Sequence, residues 1–290
     1  MTSIPRDQWY VAAYGREIGP ALFSGTVCGE SILFWRTASG RVTAMADRCV
    51  HRRFPLSEPP TRLVDDQVVC GYHGFTYAAD GRCVAVPGQT RVPRTARLST
   101  YPVVEQDSFV WVWIGDPLLA DDTAIPRAPW LTAPDYTTVS GMEPLAARFE
   151  LLVDNLLDLS HETYLHGGYI GTPEVASTPI TTEVDEAAGV VCVSRRMADA
   201  DTPETEHTTH DFWAVARDFA LDDEEVSTFL AESNRTVVLQ DVAALDVLER
   251  VIASEPDGYQ ELSINIDTGG LAARRILARL AGGRVHQVTS

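Results

Sequence analysis

Positive charge is scarce in this sequence: 23 Lys and Arg stand against 41 Asp and Glu among 290 residues, a formal net charge of −18. A surface so negative repels a polyanion, which argues against nucleic acid as a partner. Long apolar runs are also missing. The longest, such as Phe109–Gly115, fall far short of membrane-spanning length, and Met1–Tyr10 contains no extended apolar stretch of the secretory kind. A cytoplasmic protein without a membrane partner is the expectation. Cysteine is thin and odd in number, with Cys28, Cys49, Cys70, Cys83 and Cys192, which suits metal ligands or buried thiols better than a disulfide framework. No Gly-rich dinucleotide fingerprint occurs, so any use of a nicotinamide cofactor has to pass through another protein. There is neither an internal repeat nor a low-complexity tract. What the sequence does have is 45% hydrophobic residues, enough for real cores in one large domain or two ordinary ones.

The first 115 or so residues carry short β-type runs punctuated by glycine and proline, the pattern of a small all-β domain. Strands are expected at Trp9–Ala13, Ser31–Arg36, Val42–Met45, Val68–Gly71, Phe75–Tyr77, Val84–Val86, Tyr101–Glu105 and Phe109–Trp113, with a hairpin turn at Asp80-Gly81. Pro117, Pro126, Pro129 and Pro134 then crowd a boundary region, Asp116–Asp135. Domains of 1–118 and 119–290 follow. The second reads as mixed α and β: a leucine-rich helical stretch at Phe149–His166 stopping at Gly167-Gly168, strands at Val190–Ser194 and Phe212–Ala216, a helix from Asp222 through Arg250, and a last helix at Leu271–Leu280.

Two loops carry the strongest chemical signal. Cys49-Val50-His51 is followed, after residues 52 through 69, by Cys70-Gly71-Tyr72-His73. Zinc-finger spacing pairs like with like, whereas each loop here offers one thiolate and one imidazole. That division suits a two-iron cluster in which one iron takes both thiolates and the other both imidazoles. Neutral imidazoles remove negative charge and raise the reduction potential, to roughly −150 to +300 mV. Zinc on the same four residues is the structural alternative. Cys28, Cys83 and Cys192 have no such partners and read as buried or inert thiols, and Trp111 and Trp113 read as core.

A second constellation lies in Asp154–His166. Asn155, Asp158 and His161 recur at intervals of three on a leucine-rich helix, one polar stripe that needs a reason. Metal binding supplies one. His166 lies five residues beyond His161, about 140° further round an ideal helix, so the two rings converge only if the helix widens or ends between them. A carboxylate would complete a facial triad on ferrous iron, and spacing alone does not select it. His207 and His210 read as solvated or structural, and Phe212, Trp213, Phe219 and Tyr164 read as core before pocket lining.

CVHRRFPLS and CGYHGFTYAADGRCVAVPG resemble the Rieske domain of aromatic-ring oxygenases, and Asn-x-x-Asp-x-x-His-x4-His resembles the mononuclear iron site of their α subunits, in the group of vanillate O-demethylase and dicamba-type demethylases. The resemblance runs from PRDQWYVAA to INIDTGGLAARRILARL. It implies an N-terminal all-β Rieske [2Fe–2S] domain with Cys49, His51, Cys70 and His73 as ligands, and an α+β catalytic domain of antiparallel sheet plus helices, of the helix-grip type. It implies Fe(II) held by His161, His166 and an aspartate on a late helix, for which Val238-Leu239-Gln240-Asp241 supplies Asp241, with Asp246 and Glu249 as competitors. By the same resemblance Asn155 supports the iron, and Asp158 bridges a cluster histidine to an iron histidine across the boundary between copies in a head-to-tail trimer. Electrons would come from NAD(P)H through a ferredoxin or flavin reductase, and O2 would hydroxylate or O-demethylate a small organic substrate. The catalytic domain is shortened relative to that family by roughly fifty residues near 197–202. This leaves a second expectation, an electron-transfer or binding protein that keeps the cluster and has lost oxygenation.

Overall fold

A computed structural model describes residues 4–167, 179–194, 200–203, 209–255 and 261–282. Backbone contacts divide the chain into two units, Asp7–Pro129 and the remainder, with the division inside the proline-rich boundary region.

In the first unit, β1 (Gln8–Tyr14), β10 (Val103–Gln106) and β11 (Phe109–Ile114) form one sheet in the order β1-β11-β10. A second sheet runs β2-β3-β4-β9, from β2 (Phe23–Val27), β3 (Glu30–Arg36), β4 (Val42–Ala46) and β9 (Thr100–Tyr101). Strand β3 explains how these share an interior. Its Ile32-Leu33-Phe34-Trp35 run is buried on both faces: Ile32 and Phe34 pack with Val110, Val112 and Ile114, whereas Leu33 and Trp35 pack with Met45, Leu56 and Tyr77. A continuous apolar run in place of an alternating one is what a doubly covered strand requires. The third sheet, β5-β6-β7-β8, comprises β5 (Arg62–Val64), β6 (Gln67–Val69), β7 (Thr76–Tyr77) and β8 (Cys83–Ala85). The Asp80-Gly81 turn is present between β7 and β8, with Gly81 at φ 81°. Strands β2 and β5 were not legible in advance; the first contains Ser24-Gly25 and the second is three residues long.

The second unit is built on an antiparallel sheet in the order β12-β16-β15: β12 (Thr137–Leu145), β16 (Thr209–Arg217) and β15 (Ala200–Pro203). Strands β13 (Thr181–Asp185) and β14 (Val190–Ser194) form a separate hairpin. Strand β12 escaped the sequence reading because in TTVSGMEPL the short β-branched run Thr137-Thr138-Val139 gives way at once to Gly141 and Pro144, with no alternation of apolar and polar residues.

Among the described residues the helices are α1 (Phe149–Leu157), α2 (Glu162–Leu165), α3 (Glu224–Ser254) and α4 (Thr268–Ala281). The expected continuous helix over Phe149–His166 is wrong. It ends at Asp158, which adopts φ −108° and ψ 84° and turns its carboxylate onto the Ser160 amide at 2.9 Å, so Asn155, Asp158 and His161 do not form a stripe on one helix. Helix α3 is longer than expected, starting where the Asp223 side chain accepts from the amides of Glu225 and Val226 and running to Ser254. Its buried residues Val238, Asp241, Leu245 and Glu249 lie on one face. At the start of α4, a Cβ on Gly269 would stand 2.7 Å from Val193 Cγ2 and 3.3 Å from Leu157 O, so glycine lets α4 seat against α1 and β14. Arg274 then clamps Asp154 of α1, Nε to Oδ2 at 2.8 Å. Among the described residues no helix is long and apolar enough to cross a membrane.

Candidate metal centres

The two Cys/His loops leave β4 and β6 and close in the same way. Cys49 N–H donates to Phe54 O at 2.9 Å and Arg53 N–H to Cys49 O at 2.9 Å; Cys70 N–H donates to Phe75 O at 2.8 Å and Gly74 N–H to Cys70 O at 2.9 Å. The residue four beyond each cysteine takes a positive φ, 59° at Arg53 and 71° at Gly74. Two loops of one design thus face each other, each bringing a buried thiol and an exposed imidazole: both cysteines are 2% exposed, while the His51 and His73 rings stand at the surface with centroids 4.5 Å apart. The second loop lies directly on the chain at Pro60-Thr61, since a Cβ on Gly71 would come within 2.5 Å of Thr61 N. Gly71 N–H donates to Thr61 Oγ1 at 3.0 Å.

Electrostatics around the thiols follow from this packing. Burial pushes the Cys70 thiol up, as does its neighbour Cys49, while the backbone amides of Tyr72 and His73 work the other way. The fully buried Tyr77 hydroxyl sits 3.1 Å from Cys49 Sγ and accepts from Val50 N–H at 3.3 Å; burial and the contact with Cys49 hold it well above the usual phenol range, so it stays a donor. Two buried sulfurs met by N–H and O–H donors, with two imidazoles on the open side, are a donor set that would fit a two-iron cluster in which one iron takes both thiolates and the other both imidazoles. Of the other cysteines, Cys83 is buried and Cys28 half-buried, while Cys192 is exposed on β14 and is not a buried thiol.

In the second unit, the ligand-type atoms of His161, His166 and Asp241 lie within 4.8 Å of one another. The histidines meet because α2 is a single turn: His161 stands at its N-cap and His166 at its C-cap, with ring centroids 5.1 Å apart. The helix therefore breaks before His161, not between the two histidines. Asp241 reaches them from the middle of α3, with Oδ1 at 3.4 Å from His161 Nε2 and 3.2 Å from His166 Nε2. Each imidazole is oriented from behind. His161 Nδ1 is 2.5 Å from the Asp158 backbone oxygen, and His166 Nδ1 is 2.9 Å from Gln240 Oε1. Asn155 Nδ2 donates to Asp241 Oδ1 at 3.1 Å, and its own Oδ1 is buried with no hydrogen-bond partner.

Burial works to lower both histidines, but hydrogen bonds to Asp241 outweigh it and hold them above the ordinary imidazole value. Burial works to raise Asp241, and the two imidazoles outweigh that in turn, holding it below the usual carboxylate range. Two Nε2 atoms and one carboxylate oxygen around one point, with a buried amide oxygen of Asn155 left unpartnered, fit a divalent ion better than a shared proton. The competing carboxylates are engaged elsewhere. Glu249 takes a two-armed ion pair from Arg148, Nε at 2.7 Å and Nη2 at 2.8 Å, and Asp246 accepts the Ala146 amide at 3.1 Å. Gln240 was missed as a functional residue, although it stands next to Asp241 in sequence. Phe212 and Trp213 are buried as expected, whereas Tyr164 and Phe219 are 82% and 59% exposed and are not core. His210 lies on β16 against Phe212, and His207 lies outside the described residues.

Comparison with known proteins meets both sites. Residues 8–102 match the Rieske [2Fe-2S] domain, and residues 145–202 and 196–282 match the vanillate O-demethylase oxygenase C-terminal domain. A vanillate O-demethylase oxygenase subunit of Pseudomonas sp. (strain ATCC 19151) is 31% identical over 316 residues, covering 88% of this chain and 95% of the relative. This chain belongs to the Rieske non-heme iron oxygenases. The oxygenase is also similar to the oxygenase component of dicamba O-demethylase from Stenotrophomonas maltophilia, 29% identical over 331 residues, covering 95% of this chain and 97% of the relative. Its fold matches a crystal structure of dicamba monooxygenase bound to dicamba with a TM-score of 0.86 at 27% identity, over 96% of this chain and 97% of that one. It is an oxygenase component of the kind found in O-demethylase and monooxygenase systems. The chain is shorter than these relatives, and its two matches to the C-terminal domain both take in residues 196–202.

Proposed function

We propose that this oxygenase takes electrons from a separate reductase, directly or through a ferredoxin, and uses them with O2 to hydroxylate or O-demethylate an aromatic or related small organic molecule. The observation that carries the reading is the convergence of His161, His166 and Asp241 from segments some seventy-five residues apart, since nothing in helix packing alone calls for two imidazoles and a carboxylate at one buried point. Cys49, His51, Cys70 and His73 would hold a Rieske [2Fe–2S] cluster, which stores one electron at a time. His161, His166 and Asp241 would hold Fe(II), which supplies open positions for O2 beside the substrate.

The chain's own groups prepare that site. Gln240 and the Asp158 carbonyl accept the Nδ1 protons of His166 and His161, which leaves both Nε2 lone pairs free to bind. Asp241 supplies the negative charge that offsets a cation in a largely buried setting, and Asn155 fixes its carboxylate. With its Nδ2 so used, Asn155 offers Oδ1 as an acceptor for a water or substrate hydroxyl. Within one copy Asp158 reaches His161 by its carbonyl and not by its carboxylate, so the electron-bridging role suits the carboxylate toward a cluster histidine of another copy, in a head-to-tail ring of three. Five cysteines with no disulfide among the described residues support a cytoplasmic location.

The test is turnover with anaerobically iron-loaded protein, NADH and a surrogate reductase, on vanillate, dicamba and toluene-4-sulfonate. Substrate-dependent NADH consumption with release of formaldehyde or a hydroxylated product supports the reading. Full iron and fast cluster reduction with no oxygenated product on methoxylated or methylated aromatics would sink it. That outcome would favour a second reading, an electron-transfer or binding protein, to which the shortened C-terminal domain gives weight.

A further inference from the structure

Asn234 precedes Asp241 by two turns of α3, and its Nδ2 is shut off from solvent with no hydrogen-bond partner among the described residues. Seven positions turn an ideal helix through about 700°, so Asn234 projects within about 20° of Asp241 and stands roughly 10.5 Å from it along the axis. Buried Val238 lies between them on the same face. A buried amide donor is nearly always satisfied, and this one is not met by the protein.

The sheet supplies the facing wall. Helix α3 packs on β12, and Arg235, the next residue after Asn234, donates from Nε to Glu143 Oε1 of that strand at 2.6 Å. By alternation Gly141 and Leu145 share the Glu143 side of β12, and Leu145 packs with Leu245 of α3. Gly141 lies opposite Trp213 of β16, and a Cβ on it would come within 2.5 Å of the indole Cζ2. The buried Trp213 indole therefore lies on the α3 side of the sheet, across a strand that glycine keeps clear. An aromatic wall and an unmet amide donor are thus both turned into the space between helix and sheet, two turns from the triad. At the triad itself the other partnerless carboxamide atom, Asn155 Oδ1, is an acceptor, while its Nδ2 holds Asp241. The two orphans differ in sense: an acceptor waits at the metal end and a donor at the far end.

We propose that Asn234 is a specificity-determining residue of this oxygenase, whose Nδ2 donates to an acceptor oxygen on the substrate ring at the end away from the bond that reacts. That oxygen belongs to an acid, aldehyde, ester or amide group. The proposal rests on the reading that His161, His166 and Asp241 hold the iron at which an aromatic molecule is oxygenated. The separation of roughly 10.5 Å along the helix is close to the length of one ring with substituents at both ends. With its far end fixed by Asn234, the ring presents its near end at the level of Asp241. A ring without the acceptor is discriminated against, because it leaves the amide donor buried and unmet.

Calorimetric titration of the loaded protein, without reductase or NADH so that nothing turns over, tests the idea. Vanillin, vanillate and guaiacol share a methoxyphenol ring, and only guaiacol lacks the carbonyl oxygen. For the wild type, vanillin or vanillate should bind roughly tenfold more tightly than guaiacol, and the order of those two separates an aldehyde-type acceptor from an acid. In N234L, and in N234D, which keeps the size and loses the donor, vanillin and guaiacol should bind alike. Unliganded N234L should melt about 2 °C or more above the wild type, since it relieves a buried unmet donor. Guaiacol binding as tightly as both carbonyl-bearing rings, or no binding by any of the three, overturns the proposal. So does an N234L that keeps the preference, or one that melts below the wild type, which would mean that Nδ2 is held inside the protein. A triad that takes no iron, or loaded protein that oxygenates none of these rings, would instead remove the reading beneath the proposal while leaving the affinities in place, so the two failures are distinct.

Discussion

The two candidate metal centres reach similar ends by opposite routes. The cluster loops are local: four donors within 25 positions, Cys49 to His73, held by backbone bonds that each loop makes within itself. The His161/His166/Asp241 site is assembled at long range, with a one-turn helix at its base and α3 brought across by the packing of Val242, Leu245 and Leu152. One site depends on turn geometry and the other on a core. Damage to a turn should therefore be local and complete, while damage around the triad should be graded by distance from the ion.

Cys70→Ser should have the largest effect, with the Rieske absorption lost outright and iron content falling to what the triad alone holds. Retention of the spectrum would break the assignment. Asp241→Ala should come next: it removes the only carboxylate of the triad, so one third of the iron is lost and product formation drops to background, while the visible spectrum is unchanged. Gln240→Ala should weaken iron binding at the triad by roughly 10–100-fold, since it frees His166 to rotate and change tautomer. An iron titration measures it, and an affinity equal to the wild type would show that the Gln240 contact does not orient the ring. Tyr77→Phe removes an O–H donor from a cluster sulfur and should lower the reduction potential, by about 59 mV for each tenfold change in the one-electron equilibrium. Spectroelectrochemistry reads the sign directly. Asp246→Asn should do least, leaving iron content and turnover as they were, because among the described residues Asp246 serves only the Ala146 amide.

The same contrast explains what the sequence disclosed. Spacing alone told that Cys49, His51, Cys70 and His73 belong together, because short loops with fixed backbone bonds leave little freedom between them. The triad was half legible. His161 and His166 drew notice by type, yet the helix expected to carry them ends at Asp158, where a carboxylate competes for the Ser160 amide in a way helical periodicity does not register. Asp241, Asp246 and Glu249 could be ranked only through a resemblance, since the deciding facts are the partners of each: Arg148 for Glu249, the Ala146 amide for Asp246, two imidazoles for Asp241. Gln240 gave no signal of its own. Strand β12 was missed because its partner β16 is far away in sequence, and β13, though its partner β14 is close by, because Thr181–Asp185 has a single apolar residue, Val184.

The sheet topology of the second unit has a consequence for handling the protein. Strands β13 and β14 pair only with each other, so among the described residues each has one side without a neighbouring strand. Such edges template pairing with further chains. Here they sit in a unit with 11 arginines against 28 acidic residues, a net charge of −17, and β13 itself carries Glu183 and Asp185. Mutual repulsion is then what keeps one molecule's edges from another's, and colloidal stability becomes a function of counterions: dilute buffer preserves the dispersed protein, and concentrated salt draws it toward edge-to-edge aggregation.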